Sequence, residues 1–190
     1  MNRATKKDNL TGLFSPFLRK RRILVARKYL KGRVLDFGCG IGHVAEYVDH
    51  KSYVGVDKDN ILLAIASKKF PLATFLTLSE LGERIFPAFD TIVGLAILEH
   101  LEDPEEFLGT LKKLLNPSGQ IVITSPNPGY ENVLTMGSKL GLFDKEMIEE
   151  HQSLLSFDQI NKLAQKARLK IVVYRRFLIN ANQLVVIEHA

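Results

Sequence analysis

The sequence predicts an α/β fold, with helices layered on a mostly parallel sheet, and three observations predict it. Short apolar runs alternate with helix-patterned stretches along most of the chain, as parallel strands with helical crossovers require. One run, Val34-Leu35-Asp36-Phe37, breaks into Gly38-Cys39-Gly40-Ile41-Gly42, three glycines spaced two apart. Near the C-terminus, Lys170-Ile171-Val172-Val173-Tyr174 and Gln183-Leu184-Val185-Val186-Ile187 are separated only by a turn near Asn180. No helix fits between them, so they should pair antiparallel as a hairpin.

Taken in order, a helix is expected over 16–30, with Ser15 as N-cap and Pro16 at the first helical position. Strands are expected at 33–37, 53–57, 73–77, 90–95 and 119–125, and helices at 41–49, 60–68, 104–115 and 157–167. Two helix starts are well marked. Asp103-Pro104-Glu105-Glu106 places an acid at the N-cap, Pro at N1 and carboxylates in the first turn; Ser156-Phe157-Asp158-Gln159 is a capping box. Residues 1–14 are polar and read as a mobile N-terminus, and 15–190 as a single domain. The stretch 126–153, with Pro126, Pro128, Gly129, Gly137 and Gly141 before the acidic cluster Asp144–Glu150, reads as an insertion after the fifth strand. Ligands in open α/β sheets sit outside the carboxyl ends of the strands, so this insertion is placed to cover a substrate.

Apolar content is 46% and charged content 25%, the profile of an ordinary globule. No run of 18 apolar residues occurs, so no segment reads as a membrane span. The charged start Met1–Lys7 has no apolar stretch behind it, as a secretory signal would. The single cysteine excludes an internal disulfide and suits a cytoplasmic protein. Cys39 reads as a small side chain tolerated where backbone nears ligand rather than as a nucleophile, because no histidine adjoins it in sequence. The net charge of +5 is concentrated in Arg19-Lys20-Arg21-Arg22, Arg27-Lys28 and Lys31. The plain reading is a solvated helix face with Ile23, Leu24, Ala26 and Leu30 turned inward. Behind Leu13–Leu18, the block also suits weak peripheral contact with an anionic membrane. An aromatic ladder of the single-strand-binding kind is missing, which argues against nucleic acid.

The glycine spacing bears on the ligand. The dinucleotide fingerprint is G-x-G-x-x-G with a pyrophosphate at the helix N-terminus. Here the spacing is G-x-G-x-G, and Asp36 stands directly before it. That acid would repel a pyrophosphate and attract an ammonium. A second acid, Asp57, ends the next apolar run, Tyr53-Val54-Gly55-Val56. S-adenosylmethionine, with an ammonium, a sulfonium, a ribose and no phosphate, fits both.

With Val34–Gly42 and Val54–Asp57, three further segments complete a pattern. They are Phe89-Asp90-Thr91-Ile92-Val93, Leu98-Glu99-His100-Leu101-Glu102-Asp103-Pro104 and Leu114-Leu115-Asn116-Pro117-Ser118-Gly119-Gln120-Ile121. Their order and spacing resemble the class I S-adenosylmethionine-dependent methyltransferases, from about residue 30 to the end. The resemblance implies a Rossmann-like three-layer sandwich whose sheet has seven strands, mostly parallel, with an antiparallel C-terminal hairpin strand. It implies S-adenosyl-L-methionine as cofactor. Asp36, Phe37, Gly38, Cys39 and Gly40 would meet the amino-acid tail, and Asp57 the ribose hydroxyls. Lys58, Leu78 and Ser79 would flank the adenine, and Leu95 and Ala96 would approach the sulfonium. Similar enzymes carry an acid for the adenine amino group where this chain has Ser79, next to Glu80. The Asn/Asp-Pro-Pro-aromatic tetrapeptide of adenine and glutamine methylation is replaced by Gly94-Leu95-Ala96-Ile97.

Methyl transfer from a sulfonium needs alignment and a deprotonated acceptor. Glu99 and His100 follow the fourth strand, and His151 leaves the insertion; these three are the catalytic candidates, with His100 first as general base. They would also make a divalent-metal set, but the further Glu that similar RNA-ribose enzymes use falls on Ala96, so no metal is expected. His43, His50 and His189 read as incidental. The expected function is methyl transfer to a small-molecule acceptor on oxygen. The rivals are an inactive S-adenosylmethionine-binding accessory or sensor module, and an RNA methyltransferase.

Overall fold

The computed structural model describes residues 15–84, 86–128 and 154–190. The elements are α1 (Ser15–Ala26), β1 (Val34–Phe37), β2 (Tyr53–Val56), α2 (Asn60–Lys69), β3 (Thr74–Leu76), α3 (Leu78–Glu83), β4 (Phe89–Leu95), α4 (Pro104–Leu114), β5 (Leu115–Pro126), α5 (Phe157–Lys166), β6 (Leu169–Phe177) and β7 (Asn182–His189). The seven strands form one sheet in the order β3-β2-β1-β4-β5-β7-β6. Strands β1 to β5 are parallel, β7 runs antiparallel to β5, and β6 runs antiparallel to β7. The carboxyl ends of β1 to β6 therefore lie on one edge, together with the amino end of β7. This is the seven-stranded, mostly parallel sheet with a C-terminal hairpin that the sequence predicts.

Both faces of the sheet are covered. One core cluster joins Leu35, Ile92, Ile121 and Ile123 to Leu108, Leu111, Ile160 and Ala164 of α4 and α5. The other joins Val34, Val93, Val122 and Val186 to Ile23 and Ala26 of α1 and to Phe177 at the end of β6. Alternate residues of each central strand feed opposite clusters, as the two-residue period of a strand buried on both faces demands.

The two marked helix starts form as expected. The Asp103 carboxylate accepts from Glu105 N and Glu106 N, both at 2.9 Å, and Ser156 and Gln159 close a reciprocal capping box. Two expectations are corrected and one element is added. The helix over 41–49 does not form: Gly40 and Gly42 hold left-handed φ of 53° and 79°, and Val44–Tyr47 is only a tight 3-10 turn ended by extended Val48. The helix over 16–30 stops at Ala26 and tightens to a 3-10 turn over Arg27–Tyr29. A further short helix, α3, takes up Leu78 and Ser79, because Thr77 and Glu80 form a capping box that starts it.

The direction of α1 matters for the site. Arg22 Nε donates to Asn182 Oδ1 at 2.9 Å, at the start of β7. At the other end, Tyr29 O accepts from Gln120 Nε2 and from Thr91 Oγ1, toward the amino ends of β5 and β4. So α1 runs opposite to β5 and begins at the edge where β1 to β5 end.

Candidate functional site

The glycine loop and the end of β2 are built as one unit. Gly38 N and Cys39 N both donate to Val56 O, at 2.8 and 3.1 Å. Gly40 N donates to Asp57 Oδ2 at 2.8 Å, and Asp59 N donates to Oδ1 at 3.0 Å. The carboxylate is thereby fixed in direction, and its remaining lone pairs stay open to a ligand hydroxyl. A Cβ added at Gly40 would meet nothing within 4 Å, so the loop opens outward there. A Cβ at Gly42 would lie 3.1 Å from the rings of Phe70 and Phe75, so the loop's inner side is packed shut.

Asp36 sits behind this loop rather than on its open face. It is 2% exposed, and Tyr53 Oη donates to its Oδ2 at 2.6 Å. Burial, reinforced by the Asp57 charge and opposed by the Tyr53 bond, raises its carboxyl from 3.8 to about 7. Tyr53 begins β2, paired in register with Val34, and is a partner that the sequence pattern does not reveal. Cys39 is buried too; desolvation, then the charges of Asp36 and Asp57, push its thiol up, away from the thiolate a nucleophile needs.

On the β2–β3 side, Lys58 and Ser79 are exposed, and Ser79 Oγ donates to Glu83 Oε1 at 3.4 Å. Leu78 is 61% exposed. Glu80 spends its carboxylate on Thr77 N and Thr77 Oγ1, at 2.7 and 2.9 Å, and these bonds hold it below the usual carboxylate range.

These observations test whether S-adenosylmethionine fits. The open backbone at Gly40 admits a close approach, the Asp57 carboxylate is directed by two amides, and Leu78 offers an apolar flank. Donor set and space suit an aminoacyl nucleoside, so the residues fit.

At the end of β4, Leu95, Ala96 and Ile97 are half-buried. Ala96 takes a left-handed φ of 57° and its N–H donates to Thr124 O at 2.8 Å, which turns the backbone sharply after the strand. Ile97 Cγ2 lies 2.8 Å from where a Cβ on Gly94 would stand, and Ile97 Cδ1 3.6 Å from one on Gly38. Ile97 thus fills the space between the glycine loop and β4, a contact the sequence reading missed.

Glu99 and His100 share one 3-10 turn, Leu98–His100, yet part company. His100 is exposed. Glu99 is 2% exposed, and its Oε2 has no hydrogen-bond partner among the described residues. Burial pushes its carboxyl up, while a backbone hydrogen bond, then the Arg22 guanidinium and His100, pull it down. Arg22 and Asn182, bonded to each other, with the Arg22 charge felt at Glu99, are further candidate site residues that no local motif announces. His151 and most of the 126–153 insertion lie outside the described residues, as does 1–14. Among the described residues no group of three His, Cys, Asp or Glu side chains is arranged to hold a metal ion.

Comparison with known proteins decides the family. A family model described as a methyltransferase domain matches residues 11–173. The chain belongs to this family. It is a member of the class I S-adenosylmethionine-dependent methyltransferase superfamily. Among curated proteins, it is 30% identical over 115 residues to the mitochondrial ubiquinone biosynthesis O-methyltransferase of Dictyostelium discoideum, covering 51% of this chain and 36% of that protein. It is 35% identical over 128 residues to the tRNA U34 carboxymethyltransferase of Pseudoalteromonas translucida, covering 60% and 38%. The chain thus spans well under half the length of these relatives. The fold matches an S-adenosylmethionine-dependent methyltransferase structure from Thermotoga maritima, with TM-score 0.67, 16% identity and coverage of 99% and 96%. It also matches magnesium protoporphyrin IX methyltransferase from Synechocystis with bound S-adenosylhomocysteine, with TM-score 0.64, 14% identity and coverage of 92% and 83%. All seven strands among the described residues lie between Val34 and His189.

Proposed function

We propose that this methyltransferase transfers a methyl group to an oxygen atom of a small-molecule acceptor. The observation that carries the reading is the bond from Gly40 N to Asp57, which locks the ribose-directed carboxylate to an open glycine loop. Support for oxygen comes from the ubiquinone O-methyltransferases among the relatives. When bound, S-adenosylmethionine supplies an electrophilic methyl on sulfur. Asp57 accepts from the ribose hydroxyls, Gly38 and Gly40 let the tail approach the backbone, and Leu78 flanks the adenine. Asp36 contributes negative charge from behind the loop, toward the ammonium. Leu95 and Ala96, turned by the left-handed step at Ala96, border the sulfur.

His100, exposed just past β4, would take the proton of the acceptor hydroxyl, leaving the oxygen free to accept the methyl that the cofactor would release from its sulfur, itself left as a neutral thioether. Glu99, its neighbour in the same turn, is kept as a further catalytic candidate. His151 is kept as a second candidate base. The RNA reading also has a specific observation behind it, the tRNA U34 carboxymethyltransferase match, and the same assay addresses it.

The test is transfer of labelled methyl from S-adenosylmethionine to a panel of phenols, catechols and hydroxy acids, run beside unmodified tRNA. Label appearing on an oxygen of a small acceptor is expected. Tight S-adenosylhomocysteine binding with no transfer to any acceptor would favour an accessory or sensor module, and label in tRNA would replace the small-molecule reading.

A further inference from the structure

The hairpin joining β6 to β7 has an unusual tip. Leu178, Ile179 and Asn180 all hold left-handed backbone, with φ of 52°, 53° and 65°. Ala181 N donates to Leu178 O at 3.0 Å, so Ile179 and Asn180 occupy the central positions of a tight hairpin turn. Such turns favour glycine and asparagine, because a side chain at positive φ crowds the backbone. A β-branched residue there is an outlier, and strain of this kind invites a functional explanation. The strained isoleucine is also 90% exposed. It neither packs in the core nor relaxes the turn.

The tip stands at the carboxyl edge. β6 runs parallel to β5, so Phe177 ends on the same edge as Pro126, and Asn127 N donates to Ala181 O at 3.0 Å. From β4, where the methyl donor's sulfur is expected, to β6 is three strand spacings, about 14 Å. The start of α1 reaches the same place. Arg22 is tied to Asn182 on this edge, and Phe17 lies five residues earlier, about 7.5 Å further along the helix axis. Phe17 is 49% exposed. Arg19, Lys20 and Arg21 on α1, and Arg175 and Arg176 at the end of β6, are all exposed. The acids Glu105 and Glu106 belong to α4, in the layer on the other face of the sheet.

An isoleucine held outward on an edge that also carries five exposed cations fits one kind of partner best. We propose that the edge formed by the start of α1 and the β6–β7 tip docks on an anionic lipid bilayer, with Ile179 entering the headgroup region and Arg19, Lys20, Arg21 and Arg175 meeting lipid phosphates. Cations alone would serve for a nucleic acid backbone. An isoleucine held outward at the expense of backbone strain would not, since it has neither a stacking face nor a hydrogen bond to offer. Burial of apolar area together with attraction to anionic lipid is how amphipathic surfaces hold to membranes. The inference does not rest on the methyl-transfer reading, and its test requires no acceptor.

The experiment is co-sedimentation of the full chain with vesicles of phosphatidylcholine alone and of phosphatidylcholine containing phosphatidylglycerol, with retention on polyuridylate measured in parallel. Binding at least tenfold stronger to the anionic vesicles, weakened by salt, is expected. Ile179→Asn should lower it about tenfold, in line with the worth of partly burying one isoleucine. Each of Arg19→Glu and Lys20→Glu should lower it about fivefold or more. Asparagine tolerates left-handed backbone, so Ile179→Asn should melt no lower than the parent, which separates docking from folding. Equal binding to neutral and anionic vesicles, absence of vesicle binding, or vesicle binding untouched by Ile179→Asn would overturn the proposal. Retention on polyuridylate that Ile179→Asn leaves intact, without vesicle binding, would assign the cations to RNA and overturn it as well.

Discussion

The two halves of the carboxyl edge are built differently. The β1–β2 half is assembled from neighbours in sequence: Gly40 with Asp57, Asp36 with Tyr53, and Thr77 with Glu80. The β4–β5–β7 half is assembled across the chain. Arg22 reaches Asn182, 160 positions away, and Gln183 reaches Ser125, Pro126 and Leu155. Bonds satisfy most of the first half. The second half keeps two buried polar atoms without hydrogen-bond partners among the described residues, Glu99 Oε2 and Thr124 Oγ1. In the proposed reading, the cofactor is met by short-range geometry whose polar groups are mostly bonded, and the acceptor by a region that keeps unmet capacity at Glu99 and Thr124.

The largest effect should come from breaking the first half at its joint. Asp57→Ala removes the carboxylate that accepts from Gly40 N and Asp59 N and, in the proposed role, from two ribose hydroxyls. Charge-assisted bonds are worth roughly 1.5–3 kcal/mol each. S-adenosylhomocysteine affinity by calorimetry should fall at least tenfold with the fold intact; an unchanged constant would remove Asp57 from the site. A comparable loss in rate is expected in the second half. His100→Ala should depress turnover about 10²-fold or more while leaving cofactor affinity nearly unchanged, the signature of a base acting on the acceptor. Full activity in His100→Ala and His151→Ala alike would mean that alignment alone carries the reaction.

Smaller effects sharpen the division. Arg22→Ala should destabilise the protein by about 1–3 kcal/mol in denaturant melts, since Glu99 would lose a compensating charge and Asn182 a donor. Cofactor affinity should stay within twofold, because no described contact links Arg22 to the glycine loop; a large drop would show the halves to be coupled. The pH dependence follows from Asp36. Its folded carboxyl titrates near 7, above the unfolded value, so the native state holds the extra proton between about pH 4 and 7. That stabilisation is present at low pH and is lost as pH rises through 7. A cationic ligand prefers the ionised form, so cofactor affinity should rise over the same interval, and Asp36→Asn should flatten both trends. The smallest change is expected for Ser79→Ala. Its hydroxyl points to Glu83 from an exposed helix, and affinity should move less than twofold.

The contrast also explains what could be read from the sequence. Asp36, the glycines and Asp57 are legible because strand ends and loops encode their positions within about twenty residues. The capped starts at Asp103 and Ser156 are legible for the same reason. The helix expected over 41–49 fails on a local detail: Gly40 and Gly42 take left-handed backbone, which an amphipathic pattern does not register. Ile97, Tyr53, Arg22 and Asn182 were not legible. Each acts through a strand register or a helix crossing set by the whole sheet. Glu99 and His100 were found as a pair, but one turn of backbone decides which is buried and which faces solvent.

One last feature concerns the chain that joins β5 to α5. The chain leaves the sheet at Asn127, bonded to Asn180 O and Ala181 O, and is described again from Leu154, with the carbonyl of Leu155 accepting from Gln183. Exit and return are thus fastened to the same few residues at the start of β7. Lengthening a connection whose ends are already fixed costs little, about 0.6 kcal/mol per doubling. Whatever length of chain joins residues 128 and 154, its two ends are held at the start of β7, so a change of length there would leave the sheet and its glycine loop in place.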